Sequence, residues 1–344
     1  MTAKKINGKN PNTLKLLVRG QQLESEAYSV RNIGKEENLR GGSTGARIQG
    51  THGPVSIGCC PRKAQLRVLG VEEPFGLSKS FMFQGGHGSE EYLNKSLEAA
   101  WKEQDPQNLF FPEGIVGVRW STASGRPVTG TPDGLFAAPA GDHVALLKGI
   151  EAKCMSSGFT LINSVLKEKP NTSHLLQAGH YAWQLGIPFD LVYISRVNFG
   201  LHYWMKGMIK DLEPHPCYQF AENGEHFAFA PTEAVYQIEW HNDRLVYHTP
   251  QGNRIETHVK TGDIRAFYDH VDQSLNDKTL ADKGSSKDIL GDTAYLPCKY
   301  CPHNQHCPSV PNGASGDAYE AWLEQCIRDV TECDIPTEEG LPES

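Results

Sequence analysis

Three residues carry the strongest chemical signal in the chain. Asp133 sits in the turn Gly130-Thr131-Pro132-Asp133-Gly134, and Glu151 and Lys153 sit in the run Ile150-Glu151-Ala152-Lys153. Residues 144–147 and 150–155 are largely apolar, as a buried strand requires. Alternation along a strand sends Glu151 and Lys153 to one face and Ala152 to the other. Charged side chains are seldom buried without a task. Two carboxylates converging from a turn and a strand suit a hard divalent cation such as Mg²⁺, which takes a few oxygens and leaves room for water and phosphate. A lysine two residues past the second carboxylate is placed to stabilise charge on an attacking water or on that phosphate.

The elements that must hold these residues follow from pattern and punctuation. A short helix begins after Ser56, with Cys59-Cys60-Pro61-Arg62-Lys63 near its start. A longer helix spans about Gly86 to Lys102, its buried stripe formed by Tyr92, Leu93, Leu97, Ala100 and Trp101. His87 and Glu91, four residues apart, share one face near its N-terminus. Three strands are expected over Glu113–Thr122, Thr129–Ala137 and Val144–Met155. Thr172 or Ser173 can cap a helix from His174 to Leu185, closed by Gly186 and Pro188. Gln177 and Tyr181 share one face of it. Strands over Asp190–Asn198 and His202–Ile209 follow, then a hairpin within Phe227–His248 and a helix from about Asp263 to Leu275. Helix, three strands, helix, two strands is an α/β order around a mixed sheet.

Taken in this order, His87, Asp133, Glu151-Ala152-Lys153 and Gln177…Tyr181 resemble the RecB-like branch of the PD-(D/E)XK nuclease superfamily, with Pro132 supplying the leading proline. The resemblance spans about residues 56–310. It implies a restriction-endonuclease-like core, a central mixed sheet flanked by helices. It further implies His87, Asp133 and Glu151 as metal ligands, the Ala152 carbonyl as a further ligand, and Lys153 as the catalytic lysine. Gln177 and Tyr181 would organise DNA, and one or two Mg²⁺ or Mn²⁺ ions would serve hydrolysis.

Cysteine gives a second constellation. The chain has 9 cysteines, an odd count that argues against a complete disulfide framework. Cys298-x2-Cys301-x5-Cys307 places three thiolates in a tight loop, the spacing of a metal site. The fourth ligand is either His303 or His306, which would suit zinc, or a distant thiol at Cys59 or Cys60. One early cysteine and three late ones enclosing the core resemble the iron–sulfur nucleases, the CRISPR-associated RecB-like exonucleases and AddB-type nuclease domains. That resemblance implies a 4Fe-4S cluster on Cys60, Cys298, Cys301 and Cys307, since the early cysteine of that group stands before Pro-Arg. A cluster so placed would close a loop of more than two hundred residues and staple the ends of the domain.

The net charge of −8 resides in the segment after Cys307, where nine acids face the single base Arg328, so the remainder is neutral and neither favours nor excludes DNA. No membrane-spanning run and no signal-peptide core are visible, and a cytoplasmic location is expected. No Walker-type loop is present, so no ATP-driven motor is fused. The expected organisation is a polar arm over 1–50, a nuclease domain over 51–310 closed by the four-cysteine cluster, and an acidic tail over 311–344. That tail carries one amphipathic helix on Tyr319, Trp322, Leu323, Cys326 and Ile327. The expected activity is exonucleolytic hydrolysis at DNA ends, alone or beside a recombination, annealing or integration protein. The rival reading is a non-catalytic DNA-binding module with a structural zinc site.

Overall fold

The computed structural model describes residues 47–48, 60–69, 90, 93–155, 168–195, 233–282, 307 and 310–331. In chain order the strands are β1 (Arg47–Ile48), β2 (Leu109–Pro112), β3 (Val118–Ser121), β4 (Pro127–Gly130), β5 (Gly134–Ala140), β6 (His143–Met155), β7 (Phe189–Ser195), β8 (Glu233–His241), β9 (Arg244–His248) and β10 (Arg254–Glu256). The helices are α1 (Pro61–Val68), α2 (93–104), α3 (Thr172–Leu185), α4 (Thr261–Asn276) and α5 (Asp317–Thr331).

A seven-stranded mixed sheet, ordered β10-β9-β8-β7-β6-β5-β2, forms the centre of an α/β fold flanked by helices. β6 and β7 run parallel, and every other neighbour pair in this sheet is antiparallel. A parallel pair needs a crossover, and α3 lies within it. On the face that α3 covers, Leu191, Tyr193, Tyr236 and Leu245 are all buried; on the other, Ile150 is buried and Val235 is exposed. Among the described residues, no helix is long and apolar enough to cross a membrane.

Local chemistry explains the boundaries. The strand expected over Thr129–Ala137 is two, β4 and β5, because Pro132 lacks a backbone donor and the chain bends at Asp133. β4 instead joins β1 and β3 in a second sheet. Of the expected arm, Arg47–Ile48 is described and pairs with β4. Asn171, not Thr172 or Ser173, caps α3 through a side-chain bond from the Ser173 N–H, while Gly186 ends it at φ 67° as expected. The β8–β9 hairpin turns through Asn242 and Asp243, both at positive φ. The expected strand over His202–Ile209 lies outside the described residues.

Arg62 ties the N- and C-terminal parts together. Its fully buried guanidinium donates from Nε to the Ala281 carbonyl at 3.0 Å, and from Nη1 to the Cys307 and Val310 carbonyls at 2.8 and 3.0 Å. From Nη2 it donates to the Pro311 carbonyl at 3.4 Å and to Asn312 Oδ1 at 3.0 Å. Gln65 grips the same region through the Thr279 carbonyl and the Ala281 N–H. α5 docks there as well: Tyr319, Trp322 and Cys326 pack with Leu66 and Leu280, so this part of the acidic segment belongs to the folded body. Arginine cannot discharge when buried, so its five N–H groups need these acceptors and the acceptors need it. Arg62→Met should therefore lower unfolding free energy by about 3 kcal/mol or more in a urea titration. A loss below about 1 kcal/mol would contradict this role for Arg62.

Candidate functional site

β5 pairs with β6 no further than Gly134 opposite Ile150, and β6 then continues beside β7. Asp133 stands at that fork. Its Oδ2 accepts the Ala152 N–H at 2.6 Å, taking the place of the strand partner that β5 no longer supplies, and its side chain is buried. N–H and C=O of one strand residue point to the same side, so the Ala152 carbonyl is directed there too. Glu151 and Lys153 fall on one face, as alternation requires, and Lys153 Nζ donates to Glu151 Oε1.

The second oxygen, Glu151 Oε2, is buried with no hydrogen-bond partner. Two further carboxylates reach the same place. The β2–β5 register sets Pro112 opposite Gly134, which brings Glu113 abreast of Asp133. Asn94 of α2 donates to the Asp133 carbonyl at 3.1 Å, and helical Glu90 lies one turn before it. Burial, then the charges of Asp133, Glu113 and Glu151, push Glu90 up to about 9. Burial and the Asp133 charge likewise push Glu151 up to about 8 despite Lys153. Burial alone would discharge Lys153, yet Glu151 and Asp133 hold it above its ordinary value. Among the described residues, four carboxylates thus share one ammonium.

α3 covers this face. Gln177 and Tyr181 are buried on it, one turn apart, with the Gln177 side chain beside the Tyr181 hydroxyl. Its phenol is raised by burial and then by the Glu151 and Asp133 charges, which places it against the acids. His180, on the adjoining face, accepts a bond from Trp120 Nε1 at 2.8 Å and is a neutral core histidine.

The structure therefore brings together Asp133, Glu151, Ala152, Lys153, Gln177 and Tyr181. His87, Glu91, Cys59, Cys298 and Cys301 lie outside the described residues. Cys60 is buried immediately before α1, and Cys307 meets Arg62, which bonds its carbonyl and sits 3.7 Å from its sulfur across 245 positions of sequence. Glu90 and Glu113 were not identified from sequence. The signal for Glu90 was its position three residues after His87, where the neighbour four residues on was preferred; no sequence signal marked Glu113.

The donor set fits a divalent cation, on two observations. Glu151 Oε2 is buried without a partner, and among the described residues the carboxylates outnumber the cationic groups around them. Among the described residues, no three His, Cys, Asp or Glu side chains form a cage by themselves. Of the four cysteines that the resemblance implies for an iron–sulfur cluster, Cys60 and Cys307 are among the described residues, and Arg62 Nη1 lies 3.7 Å from the Cys307 sulfur. No family model matches the chain, nor does any curated protein or solved structure.

The raised carboxylates set a pH dependence. Below about pH 4.5 folded and unfolded chains both hold these protons; as pH rises the unfolded chain releases them first, and the metal-free fold loses stability until about pH 9. The melting temperature of metal-free protein should fall across that window, and Glu151→Gln should flatten the fall. Mg²⁺ should raise it more at about pH 8.5 than at about pH 5.5. A melting temperature rising with pH and insensitive to Mg²⁺ would contradict the cluster.

Proposed function

We propose that this chain is a metal-dependent DNA exonuclease of the RecB-like PD-(D/E)XK type, stapled by a 4Fe-4S cluster. The observation that carries the reading is the cluster of Glu90, Glu113, Asp133 and Glu151 around Lys153, with one Glu151 oxygen left over. Element order supports it: an acid at the start of β5, Glu151-Ala152-Lys153 on β6 and Gln177…Tyr181 on the following helix. DNA as substrate, and attack at its ends, follow from the sequence resemblance.

Asp133, Glu151 and the Ala152 carbonyl would hold Mg²⁺ or Mn²⁺, with Glu90 and Glu113 near enough to tune the site. When bound, the cation supplies a Lewis acid for a phosphoryl oxygen and raises the acidity of water. Lys153 keeps its proton and stabilises negative charge developing on the attacking oxygen or the phosphate. Glu151 orients that ammonium through Oε1. Tyr181 and Gln177 wall the site and exclude bulk water, which strengthens each of these interactions. Cys60, Cys298, Cys301 and Cys307 would ligate the cluster, with Arg62 bracing the early and late segments against each other.

Protein purified anaerobically should be brown, contain iron and sulfide, and release end label from DNA only with Mg²⁺ or Mn²⁺. Asp133→Asn and Lys153→Met should each reduce that release on the order of 10²-fold or more while the far-ultraviolet spectrum is kept. Colourless, zinc-loaded protein that binds DNA and leaves every end intact would support the non-catalytic module instead.

A further inference from the structure

The first turn of α3 carries a histidine that the site described so far does not use. His174, Gln177 and Tyr181 are spaced i, i+3 and i+7, one stripe of the helix that covers Glu151 and Lys153. The β6–β7 register sets Tyr193 beside Lys153, on the same face of the sheet. Tyr193 Oη accepts the Asn171 N–H at 2.9 Å and lies 3.1 Å from His174 Nδ1.

Tyr193 Oη accepts from Asn171 and has one hydrogen of its own to give. When that hydrogen goes to His174 Nδ1, the nitrogen is the acceptor and the ring proton sits on Nε2. His174 as a whole is half-buried, and Nε2 meets no hydrogen-bond partner among the described residues. Burial and then the Lys153 charge lower His174 to about 3, so a neutral ring is kept at working pH. A cation at Nε2 would need that nitrogen bare, which the Tyr193 bond disfavours.

We propose that His174 Nε2–H is a fixed donor to a phosphate oxygen of the substrate, next to Lys153 and on the stripe of Gln177 and Tyr181. The assignment of that phosphate to a DNA strand rests on the exonuclease reading. A neutral donor adds a directional bond without a second positive charge, which would compete with Lys153 and the cation for the carboxylates.

The test combines ring ¹⁵N NMR of the whole protein with binding of a 5′-phosphorylated oligothymidine in Ca²⁺. His174 is expected in the Nε2–H form, with its Nε2 resonance moving as oligonucleotide is added. Tyr193→Phe should let the other tautomer appear. His174→Phe should weaken binding about tenfold or more, and His174→Gln, which keeps a donor near the Nε2 position, should recover most of the loss. Protein that binds the oligonucleotide in this way but cuts no DNA would sink the exonuclease reading and leave the donor standing. An Nδ1–H ring, an Nε2 resonance untouched by saturating oligonucleotide, failure of the unsubstituted protein to bind it, or equal binding by the Phe and Gln variants would each overturn the donor.

Discussion

Among the described residues, Lys153 Nζ is the one ammonium placed among Glu90, Glu113, Asp133 and Glu151, and this charge imbalance constrains the whole centre of the molecule. Burial in a region of low dielectric makes each uncompensated carboxylate expensive, so the acids either keep their protons or acquire positive charge from outside. The fold forces the crowding. β5 must leave β6 at Gly134 for Asp133 to swing across and satisfy the Ala152 N–H. β2 must pair with β5 for Glu113 to come abreast of Asp133, and α2 must dock by Asn94 for Glu90 to arrive. A structural ion pair would stop at Glu151 and Lys153; three more acids around it make sense as a cation site.

The scaffold has its own buried charge in Arg62. Its role is mechanical: the guanidinium fork matches four carbonyls and an amide oxygen in a segment nearly as far away in sequence as the chain permits. Docking of α5 on Leu66 and Leu280 closes the same knot with apolar surface. Cys60 and Cys307 are held at this junction, so a cluster spanning early and late cysteines would bind where the fold is already pinned.

Much of the centre was legible in the sequence because strand and helix periods are local. Alternation alone put Glu151 and Lys153 on one face; the i, i+4 rule put Gln177 with Tyr181; Gly186 marked the end of α3. What escaped depends on register and docking, which no local pattern encodes. Glu113 becomes a neighbour of Asp133 only through strand pairing, and Glu90 reaches the acids because of how α2 meets the turn. The break at Pro132 could have been read from its missing donor, and was masked by the apolar run around it. Asn171 was passed over as a cap because Thr172 and Ser173 offered equally good chemistry. The docking of α5 was hidden by its acidic outer face, which describes the solvent side and says nothing of Tyr319, Trp322 and Cys326 beneath.

Anomalous diffraction from crystals soaked in Mn²⁺ addresses the cation directly. The account predicts one or two manganese peaks in contact with Asp133 and Glu151, with the Ala152 carbonyl in range and Lys153 turned toward open space. Crystals saturated with Mn²⁺ that carry no peak there, and in which Lys153 still seals Glu151, would contradict it.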